Sequence, residues 1–279
     1  MIIWLASYPK SGNTLLRSIL SCILFTDDGI FQPEIISKIK KFPTKKNFEN
    51  LTENFYDFNE TMKYSIMAQE VINLNNEINF LKTHHLNCKI NNFNFTNKEN
   101  TLATIYIVRD PRNVVTSISN HFSKSIKDAM EFLFTQKFIG GSNKLNLNID
   151  NDIKTLIGTW GEHYNFWKNS RNLFLVKYED LINNPKIQIQ KIINFLNNFF
   201  PVAINELKLS NICKTTSFES LQKIEQQGLF KENAYKDDAA KKNFFYLGPN
   251  NKWQNILEKE ISEEIEKKFF TEMRELKYL

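Results

Sequence analysis

The chain has 279 residues but only three cysteines, Cys22, Cys88 and Cys213, far apart and without a Cys-x-x-Cys pair. That scarcity argues against a zinc site and against a secreted disulfide framework, and a reducing, cytosolic setting is the simplest reading. Long hydrophobic runs are missing as well. The apolar start at residues 1–6 has no basic leader and is stopped by Tyr8-Pro9-Lys10, which is too short for a signal core or a membrane span. No helix-turn-helix, zinc-finger or ribonucleoprotein pattern occurs, so nucleic acid is not the expected partner. The net charge of +5, from 36 cations interspersed with 31 anions, is that of a mixed solvated surface. A sequence pI of about 8.9 nonetheless suits a protein that handles polyanionic small molecules. Internal repeats and long linkers are absent, so one domain over residues 1–279 is expected, and 42% hydrophobic content lets it bury a core without metals or disulfides.

What is present alternates between two periodicities. Residues 2–6 and 103–108 are short continuous apolar runs of the kind that form buried parallel strands, and 79–82 and 173–176 read the same way. Helical spacing follows the first run at 14–24, begins again at Pro111, where proline suits a first turn, and covers 153–168 and 180–199, with Pro185 at a start or a break. Shorter helices are expected after Gln32-Pro33 and around 61–70. The segment 256–278 reads as one amphipathic surface helix. Strands alternating with helices predict a single α/β domain with a central, mostly parallel sheet flanked by helices. The aromatic-rich stretch 31–58, with Phe31, Phe42, Phe48, Phe55, Tyr56 and Phe58, suits an apolar lid or, by preference, the outer core.

Between the first strand and the first helix lies Tyr8-Pro9-Lys10-Ser11-Gly12-Asn13-Thr14. Backbone N–H groups at a helix N-terminus form an anion site, a lysine adds a point charge, and Ser11 and Thr14 add hydroxyl donors. The loop is P-loop-like but not a Walker A motif, because Lys10 precedes the glycine; alone it is also compatible with a tight turn carrying an exposed lysine. A second segment, Arg109-Asp110-Pro111 onwards, puts Arg109 at a strand end and Ser117 eight residues later. A guanidinium grips phosphate oxygens bidentately and a hydroxyl completes the shell.

Together these segments resemble the donor site of the cytosolic-type sulfotransferases. The loop resembles that family's Tyr-Pro-Lys-Ser-Gly-Thr-Thr-Trp, with Asn13 and Leu15 departing from it, and the Arg109…Ser117 pair resembles its 3′-phosphate segment. Four more fragments match in chain order: Leu81-Lys82-Thr83-His84; residues 158–164 with Trp167; Tyr178-Glu179-Asp180-Leu181 with Asn184-Pro185; and Thr216-Ser217-Phe218. The last family motif, Arg-Lys-Gly-x-x-Gly-Asp-Trp, is damaged here: Gly248 and Trp253 remain, but Tyr246 and Leu247 stand where the cations would be. Lys241, Lys242 and Lys252 are close enough in sequence to compensate.

The resemblance implies transfer of a sulfuryl group from 3′-phosphoadenosine 5′-phosphosulfate (PAPS) to a hydroxyl or amine on a small-molecule or saccharide acceptor, without metal, in the cytoplasm. It assigns donor binding to Lys10, Ser11, Gly12, Asn13, Thr14, Leu15, Arg109, Ser117, Tyr178, Thr216, Phe218 and Gly248. Asn13 is expected to donate to an anion. Catalysis falls to Lys10 on the leaving oxygens, Lys82 near the sulfuryl oxygens and His84 as general base, since a neutral imidazole can take the acceptor's proton. A strand-end lysine reaching solvent is a close second reading of Lys82, and Tyr178 is equally a packing tyrosine. The resemblance also places Trp160, with Phe218, in the adenine pocket, although a core aromatic is the simpler explanation of Trp160. His85 is excluded only by register, and His121 and His163 read as structural or surface groups. Two rivals remain: a P-loop kinase, which needs a carboxylate placed for magnesium, and a nucleotide-binding module without turnover. Acceptor identity and oligomeric state are open, as no dimer motif is found near 254–266.

Overall fold

A strand covered on both faces must be apolar at every position, and residues 2–6 are. In the computed structural model, which describes residues 1–141, 153–230 and 243–279, they form strand β1 (Ile2–Ala6), buried throughout. Four strands join it: β2 (Lys40–Lys41), β3 (Asn79–Thr83), β4 (Thr101–Val108) and β5 (Leu173–Lys177). They lie in the order β2-β3-β1-β4-β5 and every ladder is parallel. Ala6 is opposite Thr83 on one side and Tyr106 on the other, so β1, β3 and β4 end close to one level.

Alternation along the strands divides the core. Trp4 and Ala6 share one face with Tyr106 and Val108, under helices α2 (Pro111–Phe122), α3 (Ile126–Phe134) and α4 (Trp160–Trp167). Ile3 and Leu5 share the other with Ile105 and Ile107, under α1 (Asn13–Phe25) and, after the short α5 (Tyr178–Asn183), α6 (Pro185–Leu196). The chain continues through α7 (Glu206–Thr215), α8 (Phe218–Gln226), α9 (Lys259–Lys268) and α10 (Phe270–Glu275). Pro185 takes the first-turn position of α6, where its missing N–H costs nothing.

Three expectations need correction. The stretch 153–168 is not one helix: Thr155–Leu156 pairs with Phe138–Ile139 as a small hairpin, and α4 starts only at Trp160. Gly158 at φ +63° breaks the helix, and the Thr159–Glu162 capping box restarts it. Strand β5 is an edge strand with Val176 buried and Leu175 exposed, not a buried one. The segment 256–278 is two helices rather than one, and its apolar stripe of Ile261, Ile265, Phe269 and Met273 is part of the core. Of the aromatic stretch 31–58, Phe31, Phe42 and Phe48 are buried and none lines the main cleft, so it packs as core.

Candidate functional site

The carboxyl ends of four parallel strands deliver the site. Residues 7–12 follow β1, His84 follows β3, Arg109 follows β4 and Tyr178 follows β5. In open parallel sheets this edge is where ligands bind. Here it opens into a cleft of about 390 Å³ lined by Lys10, Gly12, Asn13, Thr14, Leu15, Lys82, His84, Arg109, Ser117, Tyr178, Phe218 and Gly248, among others. Twelve of the fourteen residues singled out from sequence therefore meet in one place. Ser11 and Thr216 do not line it: both are buried, and Thr216 donates its hydroxyl to the Ile212 carbonyl. A shallow hollow of about 420 Å³ at the amino end of the sheet, lined by Met1, Glu70 and Asn100, gathers no such set.

The loop after β1 reverses direction through two left-handed residues, Lys10 at φ 65° and Gly12 at φ 102°. Gly12 is the N-cap of α1, and a Cβ on it would stand 2.5 Å from the Tyr178 ring, so backbone and packing both demand glycine there. No side chain caps this helix end, which leaves its N-terminus open to the cleft. The expectation that Asn13 donates to an anion is corrected: its amide donates to the Leu5 carbonyl at 3.0 Å and the Ser7 hydroxyl at 3.2 Å, bracing the loop instead.

Arg109 crosses the cleft floor. Its guanidinium lies 4.3 Å from the centre of the Tyr178 ring and donates to the Lys10 carbonyl at 3.3 Å. The buried Nε of Arg109 and the buried hydroxyl of Ser11 have no hydrogen-bond partner, an arrangement that costs about 1–3 kcal/mol per group unless a ligand or water supplies one. The neighbouring carboxylate is committed elsewhere: Asp110 caps α2 and holds Arg112 at 2.7 Å, while Arg112 also packs over Trp253. Asp110 is therefore not available as the carboxylate that the kinase alternative would place beside the loop.

His84 is half-buried, with Nδ1 at 2.7 Å from the Ser7 carbonyl. A carbonyl only accepts, so Nδ1 carries the proton and Nε2 carries a lone pair. Burial, and secondarily the Lys82 ammonium, push the His84 pKa well below 6.5, which keeps the ring neutral. Its own carbonyl accepts from His163 Nε2 at 3.1 Å, and His163 Nδ1 accepts from the Tyr106 hydroxyl at 2.9 Å. His163 is thus a buried structural group that fixes the turn behind His84. His85 lies outside the cleft, stacked between Phe58 and Phe95. Trp160 also lies outside, in the core against Phe269, and is not an adenine-pocket wall.

Some lining residues escaped sequence reasoning. His121, expected to be structural or on the surface, lines the cleft one turn beyond Ser117, with its pKa pushed down to about 3 by burial and then by Lys10 and Lys82. Thr116 and Asn251 also line it. The Thr116 hydroxyl donates to the Asn251 side chain at 2.6 Å and Asn251 donates to the Asn113 carbonyl, tying the segment after Gly248 onto α2. Gly248, at φ 52°, presses directly on the Phe218 ring. Phe244 lines the cleft beneath the Lys10 ammonium, 4.0 Å from its ring centre. Lys41 enters from the edge strand. Of the cations weighed as replacements for the lost pair, Lys252 is exposed and outside the lining, and Lys241 and Lys242 lie outside the described residues. The lining therefore holds Lys10, Lys41, Lys82 and Arg109 and, among the described residues, no carboxylate. Such a surface attracts polyanions.

Comparison with known proteins agrees with this chemistry. The family model described as the sulfotransferase domain matches residues 2–277. Cytosolic sulfotransferase 12 of Arabidopsis thaliana is 26% identical over 184 residues, covering 61% of this chain and about half, 49%, of that protein. Amine sulfotransferase of Oryctolagus cuniculus is 24% identical over 288 residues, covering 98% of this chain and 81% of that protein. Among solved structures, mouse sulfotransferase SULT7A1 complexed with PAP superposes with a TM-score of 0.58 at 19% identity, covering 98% of this chain and 84% of that one. The last likeness is one of fold.

Proposed function

The chain belongs to the sulfotransferase family, and from that premise we propose that it transfers a sulfuryl group from PAPS to a hydroxyl or amine of a small-molecule acceptor. One observation carries the reading: a neutral, oriented imidazole, three lysines, an arginine and an open helix N-terminus share one cleft that, among the described residues, holds no carboxylate. The unpartnered Nε of Arg109, on a side chain that lines the cleft, fits a ligand rich in phosphate oxygens. The donor, when bound, supplies an activated sulfuryl group and a bisphosphate leaving group. This chain's residues do the rest. The loop around Gly12 and the Lys10 ammonium take the 5′ end and neutralise charge as it develops there, in the manner of oxyanion donors. Arg109 and Ser117 take the 3′-phosphate, Tyr178 and Phe218 flank the base, and Lys82 steadies the sulfuryl oxygens. His84 Nε2 removes the proton of the acceptor hydroxyl, a contribution of roughly 10²–10⁴-fold. Sulfotransferases named for cytosolic residence and for flavonol and amine acceptors are among the relatives, and we infer the same compartment and acceptor size here. Among the described residues no helix is long and apolar enough to cross a membrane.

The 3′-phosphate gives the sharpest test, because Tyr246 and Leu247 have replaced two cations and Arg109 must do more. Calorimetry should show that wild type binds adenosine 3′,5′-bisphosphate more tightly than adenosine 5′-monophosphate. Arg109→Ala should weaken the bisphosphate by about one to two decades, the worth of a charge-assisted hydrogen bond, and barely change the monophosphate. Equal wild-type affinity for the two nucleotides would remove PAPS as donor.

A further inference from the structure

The imidazole proposed as the base is held by a chain of hydrogen bonds that starts in the donor loop. Asn13, the first residue of α1, is buried, and its amide nitrogen donates to the Leu5 carbonyl at 3.0 Å and to the Ser7 hydroxyl at 3.2 Å. A carbonyl only accepts, so Leu5 fixes which side of the amide faces Ser7. Ser7, completely buried, sets its hydroxyl 3.2 Å and its carbonyl 2.7 Å from His84 Nδ1. With Nδ1 protonated toward that carbonyl, the Ser7 hydroxyl oxygen stands between two N–H groups, one from Asn13 and one from His84. A backbone carbonyl anchors each end of the chain.

A neutral imidazole exchanges tautomers and can turn about its Cβ–Cγ bond, and either change takes the Nε2 lone pair away from the cleft. The Ser7 carbonyl selects the tautomer, and the Ser7 hydroxyl, at a second point, resists the turn. That hydroxyl is itself placed by Asn13, since a serine side chain left alone has three staggered positions. Where the resembling family's loop has threonine, Asn13 supplies two N–H groups on a longer side chain, enough to serve the Leu5 carbonyl and the Ser7 hydroxyl together. Ser7 and Asn13 also bracket the loop whose Gly12 N-cap opens onto the cleft. The loop proposed to take the 5′ end of the donor and the base proposed to serve the acceptor therefore share one residue, Ser7.

We propose that Ser7 and Asn13 are positioning residues for His84: together they hold the ring with Nδ1 protonated and tie that orientation to the first turn of α1, so that donor loop and base move as one unit. The inference rests on the reading of His84 as the base and adds what keeps that base aligned.

Imidazole nitrogen-15 spectra at neutral pH, with the His84 signals assigned by their loss in His84→Gln, should show Nδ1 protonated and Nε2 bare in wild type. In Ser7→Ala and in Asn13→Leu the two nitrogen signals should move toward each other as the second tautomer gains population. Ser7→Thr, which keeps a hydroxyl, should restore the wild-type pattern. With PAPS as donor and 2-naphthol as probe acceptor, kcat should fall about three- to tenfold in each deficient variant, the worth of one hydrogen bond. Affinity for adenosine 3′,5′-bisphosphate should stay within about threefold of wild type in both. The double variant should be no slower than the worse single one, because both changes break the same chain. Ser18→Ala removes another buried hydroxyl of α1, which donates to the Thr14 carbonyl at 3.0 Å, and should match wild type in spectrum and turnover. A proton on Nε2 in wild type, nitrogen signals unmoved in both deficient variants, or losses that add in the double variant overturn the proposal. The spectra decide it whether or not 2-naphthol is sulfated. A protonated Nδ1 in a protein that does not bind the bisphosphate would instead overturn the sulfotransferase reading.

Discussion

At the scale of single residues, the proposed chemistry turns on the orientation of one imidazole. His84 and His85 are adjacent, yet the first presents Nε2 toward the cleft while the second is a flat ring stacked 4.3 Å from Phe95 with its Nδ1 on the Leu86 carbonyl. Exchange of His84 for alanine should lower kcat by about 10²–10⁴-fold and leave the affinity for adenosine 3′,5′-bisphosphate within a few-fold of wild type. His85→Phe, which fits the stack between Phe58 and Phe95, should retain turnover. Steady-state kinetics and calorimetry on both variants decide it; a large loss in His85→Phe with normal turnover in His84→Ala would move the base to the neighbour. Both histidines were visible in the sequence, and the Lys-Thr-His register chose between them. The role of Asn13 was not visible, because whether an amide faces a ligand or its own loop depends on where the Leu5 carbonyl and the Ser7 hydroxyl end up.

At the scale of elements, the site depends on one turn between β1 and α1. Its glycine combines a left-handed backbone with contact against a ring from another strand's end, and the two demands add. Gly12→Ala should cost roughly 1–3 kcal/mol in stability and weaken bisphosphate binding by more than tenfold, because the new Cβ must displace Tyr178 from beneath Arg109. Gly228→Ala is the control: φ is again left-handed at 73°, but a Cβ there meets nothing within 4 Å among the described residues. Thermal melts should show strain in both variants, and nucleotide titration should show a loss in Gly12→Ala alone. Similar affinity in both would mean that Tyr178 does not support the nucleotide site. Element boundaries were legible wherever a local residue forces them, as at Pro111 and Pro185. They were misread at 153–159, where helical spacing of apolar residues continues past a left-handed Gly158 and the hairpin partner at Phe138–Ile139 is distant in sequence.

At the scale of the whole molecule, the four histidines make the fold sensitive to acid. His85 has its pKa lowered to about 4 and His163 to about 3, chiefly by burial, so the folded chain binds fewer protons than the unfolded chain, whose histidines titrate at about 6.5. Stability from these groups is complete above pH 6.5 and is lost as pH falls below it. By pH 5 each of these two rings costs roughly 1–2 kcal/mol. The melting temperature should drop between pH 7 and pH 5, and less steeply in His85→Phe; a flat profile over that range would contradict the burial argument. The arrangement that produces these shifts also marks the division between what was readable beforehand and what was not. Composition, strand and helix periodicity, and the ordered motifs around Lys10, His84 and Arg109 determined the parallel α/β architecture and singled out most of the residues that meet in the cleft. Those features are local: a turn needs its glycine, a buried strand its apolar run, a helix start its proline. Lys41, His121, Thr116 and Asn251 were beyond that reach, because each comes to the cleft only when an edge strand, a helix face and a chain segment more than a hundred residues away close around it. Sequence states which groups exist; only packing states which of them face one another, since contact between distant segments is created by burial of surfaces that no short window contains.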